Sequence, residues 1–248
     1  MSGHSKWASI KHKKALVDAK RGKLFSKLAR EIITAAKHGG SNQETNARLR
    51  GAIDSARAVN LPVANIEKAI KRGTGELEGT IYEEITYDAY GPGGAAILIQ
   101  ILTDNKNRAA SEIRRILSKR GGNIAGVGAV SWLFSKKGVV RVNRQKADEE
   151  KLFVLATEAG ADDFRVETDA YEIVCSPEDF ENVKRRLQEN SIEWDMASIT
   201  FVPKNTVKVE GKDAQQLLGL IEELEDHDDV QEVYSNFDIA DEILVKSA

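Results

Sequence analysis

Nine cations fall in the first thirty residues, Lys6, Lys11, Lys13, Lys14, Lys20, Arg21, Lys23, Lys27 and Arg30, against one acid, Asp18. Trp7 sits among the first of them, with His4 and His12 close by. Together these residue types serve one chemistry. Lys and Arg neutralise phosphates and release condensed counterions, Arg adds bidentate contacts, and an indole stacks on an unpaired base. The candidate nucleic-acid interface is therefore Lys6, Trp7, Lys11, His12, Lys13, Lys14, Lys20, Arg21, Lys23, Lys27 and Arg30. Two blander readings stand beside it. One is a solvated basic tail with Trp7 packed back on the protein. The other is a membrane-surface helix, for which residues 1–15 offer only Trp7, Ile10 and scattered alanines as an apolar face. Residues 1–17 have few apolar anchors and much like charge, so they are expected to be mobile without a partner.

The charge is local. Residues 1–80 carry 16 basic and 7 acidic side chains, while the remaining 168 carry 20 basic and 32 acidic. A polyanion would meet the first part and be repelled by the second.

Other residues that can do chemistry lead elsewhere. His4, His12, His38 and His227 lack metal-ligand spacing, and Cys175, the only cysteine, excludes an intrachain disulfide or a cysteine zinc site within the chain. Cys175 lies in an alternating strand pattern and reads as a buried thiol. Gly91-Pro92-Gly93-Gly94 lies between two strand patterns and reads as a hairpin turn. The glycines from Gly121 to Gly128 precede a strand and lack a Walker lysine, so a turn exposing backbone donors is expected. The acids Glu222, Glu223, Glu225, Asp226, Asp228 and Asp229 match no calcium loop and read as a solvated helix end. Asp104, Asn107 and Arg108 follow an apolar strand and read as helix-capping groups. No nucleophile-elbow, zincin or Cys/His pattern is present, so no enzyme, cofactor or metal is expected.

The elements that must position the cations follow from periodicity. Helical spacing covers about 18–72, broken at Gly39-Gly40 and Pro62 and ending at Gly73. The period changes near residue 80. A hairpin around GPGG, a helix over about 107–119 and a strand AVSWLF follow. A βαββαβ pattern comes next, then a strand TVKVE, a helix over 213–225 and a strand VQEVY. One helix and two strands cannot bury a core alone, and the hairpin unit has the complementary lack. The fold class expected is α+β: a basic arm and three-helix domain at 1–80, a discontinuous α+β domain at 81–134 and 205–238, and an inserted ferredoxin-like domain at 135–204.

GHSKW at 3–7, IKHKKA at 10–15, DAKRGKLFSKL at 18–28, YDAYGPGG at 87–94, LTDNKNR at 102–108, KRGGNIA at 119–125, WLFSKKG at 132–138 and DDVQEVYSNF at 228–237 resemble the YebC/PmpR family across nearly the whole chain. The resemblance implies three domains, one inserted in another, and a non-enzymatic bacterial protein that binds nucleic acid. It leaves two mechanisms open, transcriptional regulation through DNA and translational control through ribosomal RNA, with transcription machinery or the ribosome as partner. A protein-interaction scaffold with an incidental basic arm is the rival from another class. No signal or transit segment precedes Ser2-Gly3-His4 and no apolar run reaches membrane length, so a cytoplasmic protein with no membrane partner is expected.

Overall fold

The computed structural model describes residues 18–240 and 242–244, with side chains from Gly22 onward. Lys6, Trp7, Lys11, His12, Lys13, Lys14 and the expected mobility of 1–17 therefore lie outside the described residues.

The chain first forms three helices, α1 (Asp18–Gly39), α2 (Ala47–Ala58) and α3 (Val63–Gly73). α1 buries Ile32, Ile33, Ala35 and Ala36 against Leu49, Ile53 and Ala56 of α2 and Ile66 and Ala69 of α3. Asn46 joins the first two. Its side-chain oxygen accepts from the Leu49 N–H at 3.0 Å, capping α2, and its amide donates to the Ala35 and Gly40 carbonyls at 2.8 and 2.9 Å. Gly73 lets α3 cross close to α1. A Cβ there would collide with the Ile33 carbonyl oxygen and meet the Ala36 Cβ at 2.7 Å.

The next elements are β1 (Glu83–Tyr90), β2 (Ala96–Thr103), α4 (Lys106–Lys119) and β3 (Asn123–Ile124). β1 and β2 pair antiparallel across the GPGG turn, with Tyr90 opposite Ala96. The next run is β4 (Phe134–Asn143), α5 (Glu149–Glu158), β5 (Ala161–Val166), β6 (Ala170–Cys175), α6 (Phe180–Glu189) and β7 (Met196–Pro203). Its antiparallel sheet has the order β5-β6-β4-β7, the ferredoxin-like arrangement of a βαββαβ chain. Val140, Val142, Ile173 and Cys175 face Leu152 of α5 and Val183 of α6.

After β8 (Val207–Lys208) and α7 (Gly211–Glu225), β9 (Val230–Ser235) returns to pair with β2, so the first sheet runs β3-β1-β2-β9. β2 is apolar on both sides, as a central strand with two covered faces must be. Ile97, Ile99 and Ile101 pack with Ile113 and Leu117 of α4 and with Leu217 and Ile221 of α7. Ala96 and Leu98 lie under Val130, Leu133 and Phe134, with Phe201 of β7 beside them.

Two details differ from the sequence reading. AVSWLF is not one strand. Ser131–Leu133 is a 3-10 turn and the strand starts at Phe134. The Asp88 carboxylate accepts from the N–H groups of Val130 and Ser131, which bends the chain there. TVKVE contributes only Val207–Lys208, paired parallel with β10 (Phe237–Asp238).

Candidate nucleic-acid interface

Three of the described cations of α1, Lys23, Lys27 and Arg30, are spaced i, i+4, i+7 on one face. That face meets the turn between α7 and β9. The Lys23 ammonium donates to the Asp226 carbonyl at 3.0 Å and lies 3.7 Å from the Asp228 carboxylate. The Lys27 ammonium donates to the Glu225 carbonyl at 2.5 Å. Arg30 donates to the Asp228 carbonyl at 2.6 Å and to Asp229 Oδ1 at 2.9 Å. The orphan carbonyls and negative dipole end of α7 are thus capped by cations of another helix. Burial depresses the Lys27 pKa, although Glu232, Glu225, Asp226 and Asp228 oppose that shift.

Asp229 is the centre of this clasp and is 3% exposed. Its Oδ2 accepts from the Thr103 hydroxyl at 2.9 Å and from Arg108 at 2.8 Å. Burial would raise its pKa, but the hydrogen bonds from Arg108 and Thr103 and the charges of Arg108 and Arg30 outweigh it and hold the carboxyl below its usual range. His227 Nδ1 accepts from the Asp229 N–H at 3.1 Å, so Nε2 carries the proton and meets Glu112 at 2.8 Å. A second link joins α2 to β1: Arg48 holds Glu31 at 2.7 Å and also pairs with Glu84.

This corrects the reading of the acidic run as a solvated helix end. Glu223 pairs with Lys119 and Arg120 at 2.9 and 2.7 Å, and Asp229 is buried. His227 is likewise engaged within the protein. Arg108 does more than flank a helix cap. Asn105 caps α4 by accepting from the Arg108 N–H, while the Arg108 guanidinium bridges Asp104 and Asp229.

Of the sequence-predicted interface, Lys20 and Arg21 lie on α1 with side chains outside the described set. Lys23, Lys27 and Arg30 are brought together, but onto the protein's own acidic turn. Lys37, Lys68, Lys71 and Arg72 are exposed on α1 and α3 and pair with no carboxylate among the described residues. Sequence reasoning passed over these four because they lie outside the dense N-terminal run. Lys71 and Arg72 also sit in the last turn of α3, where cations oppose the helix dipole whatever else they do.

Among the described residues, no three His, Cys, Asp or Glu side chains group as metal ligands, and no helix is long and apolar enough to cross a membrane.

Two family models match the chain. Residues 5–76 match the family described as TACO1/YebC protein N-terminal domain, and residues 82–237 match TACO1/YebC second and third domain. The chain is 57% identical over 245 residues to a protein of Dictyoglomus turgidum named "Probable transcriptional regulatory protein", covering 98% of each. A protein of Thermotoga maritima with the same name is 54% identical over 242 residues, covering 97% of this chain and 95% of the relative. A crystal structure of a conserved hypothetical protein from Aquifex aeolicus superposes with a TM-score of 0.82 at 46% identity, covering 92% of this chain and 94% of that one.

Proposed function

Because the chain belongs to the TACO1/YebC family, we propose that it is a non-enzymatic, nucleic-acid-binding regulator of gene expression in the cytoplasm, with DNA as target and transcription as the step controlled. The observation that carries this reading is the charge split, 16 basic and 7 acidic residues in 1–80 against 20 and 32 in the rest. Lys6, Trp7, Lys11, His12, Lys13, Lys14, Lys20 and Arg21 form the primary contact, and Lys37, Lys68, Lys71 and Arg72 extend it. Lys23, Lys27 and Arg30 set the placement of the helical domain and reach phosphate only when the clasp opens. The three units, 1–80, 81–134 with 205–238, and 135–204, act as domains, of which the last two position the first.

A second reading, control of translation through ribosomal RNA, is favoured by the start of α3. Of its first three residues, Val63, Ala64 and Asn65, only Asn65 has a side chain of the kind that reads base edges in a major groove. Recognition by backbone and shape suits structured RNA.

The test is a salt titration of binding to duplex DNA and to a ribosomal RNA fragment, with Lys11, Lys13, Lys14, Lys20 and Arg21 replaced by Ala in the full chain. The slope of log K against log salt should fall by up to about 0.9 per lost contact on duplex DNA and about 0.7 on single strands. An unchanged slope on both targets moves binding away from the N-terminus and overturns the proposal. A fall confined to RNA selects the second reading.

A further inference from the structure

The segment from Ala125 to Leu133 presents apolar surface that the fold does not need. Val127 is fully exposed and Trp132 is 63% exposed, on a segment anchored by the buried Val130 and Leu133. An exposed indole of this kind is the informative exception to ordinary burial. The segment is held in place. Asp88, only 5% exposed, accepts from the N–H groups of Val130 and Ser131 with its carboxylate, at 3.0 and 3.3 Å, and from Ala125 N–H with its carbonyl at 2.8 Å. The Trp132 indole N–H donates to the Ala129 carbonyl at 3.0 Å, so the one polar atom of the ring is already satisfied. What remains for a partner is the aromatic face, on a pre-organised support.

The stretches of sequence on either side of this segment, and the one that crosses it, are basic. Residues 113–147 hold nine Lys or Arg and no acid, and residues 196–209 hold Lys204 and Lys208 and no acid, within the acidic part of the chain. Several of these cations are consumed internally, such as Lys119 and Arg120 on Glu223, Lys137 on Asp162 and Arg144 on Glu149. Lys136 pairs with no carboxylate among the described residues, and Lys204 donates only to the Trp132 carbonyl, at 2.8 Å. Lysine is depleted at protein–protein interfaces relative to the rest of the surface. An aromatic face with lysines beside it fits a base with its phosphate.

We propose that this segment is a second nucleic-acid contact, in which Trp132 stacks on an unpaired base while Lys204 and Lys136 meet the flanking phosphates. It rests on the nucleic-acid reading above but places a contact in the acidic part of the chain, where charge balance alone argues against one.

The test uses the full chain and a fluorescein-labelled single-stranded RNA of about twelve nucleotides, alone or annealed to its complement. Trp132→Ala should weaken single-strand binding on the order of 5- to 100-fold, with an unchanged salt slope and unchanged duplex binding. Trp132→Phe should retain most of the affinity, and Lys204→Ala should lower the single-strand salt slope by about 0.7. If Trp132→Ala folds as the parent does and binds the single strand equally well, the segment is a protein-docking surface and the inference falls while the N-terminal reading stands. If Trp132→Ala loses its fold, an unchanged single-strand affinity in both Trp132→Phe and Lys204→Ala, or equal losses on single strand and duplex, overturns it. If the parent chain binds neither RNA form, the inference falls, and failure on duplex DNA as well takes the broader reading with it.

Discussion

Asp229 accepts from three side chains that reach it from far along the sequence: Arg30 on α1, Thr103 at the end of β2 and Arg108 on α4. Removing a carboxylate from a buried pair leaves its cations uncompensated, which costs about 3–5 kcal/mol. Asp229→Ala should therefore lower the unfolding free energy by about 3 kcal/mol, at the low end because Arg108 keeps solvent and Asp104, and urea titration will measure it. Because the Asp229 pKa is held below its ordinary value, its contribution is present above that value and disappears as pH falls through the depressed one. Nothing in the linear pattern marks this residue. In the sequence Asp229 is one of six acids in a short run, and what separates it from Asp228 is burial under partners more than a hundred positions away. The nine N-terminal cations were legible as a density, but the engagement of three of them within the protein was not, for the same reason.

At the scale of elements, periodicity was a good guide wherever a segment covers one face of a core. The three N-terminal helices and the βαββαβ order were readable because their apolar spacing is dictated by burial. β3, β8 and β10 are two residues each, too short to show a period. AVSWLF was misread because its β-branched and aromatic composition suggests a strand, whereas Val130, Leu133 and Phe134 are buried as anchors of a turn. The approach of α1 to the turn before β9 has a consequence for pH. Glu232 on β9 keeps solvent contact, yet the protein crowding it, with help from Glu225 and Glu31 and against Lys27, raises its pKa from 4.5 to about 7. A raised carboxyl pKa contributes stability that is present below the unfolded value of 4.5 and is lost as pH rises through about 7. Glu232→Gln should thus raise the melting temperature at about pH 8 and leave it nearly unchanged at about pH 4.5. Equal shifts at both pH values would show that the carboxyl is ordinarily solvated.

For the molecule as a whole, the first sheet is assembled from two separated stretches of chain, since β2 takes its outer partner β9 from beyond the strands of the second sheet. A chain ending after β7 would leave that edge unpaired, with Ile97, Ile99 and Ile101 stripped of α7, and should aggregate. Residues 134–203 alone contain the whole second sheet and its two helices and should unfold cooperatively, with circular dichroism as the measurement for both fragments. The same interruption sets a timetable on the ribosome. β9 emerges roughly 130 residues after β2, so at about 5–20 residues per second the open edge waits on the order of ten seconds. The helical unit and the second sheet have all their helices and strands before β9 appears, whereas Asp229 arrives with it. Closure of the clasp on α1 consequently waits until nearly the whole chain has been made. Until it happens Lys23, Lys27 and Arg30 have no acidic turn to hold, so the nascent chain carries a stickier, less discriminating basic surface than the finished protein.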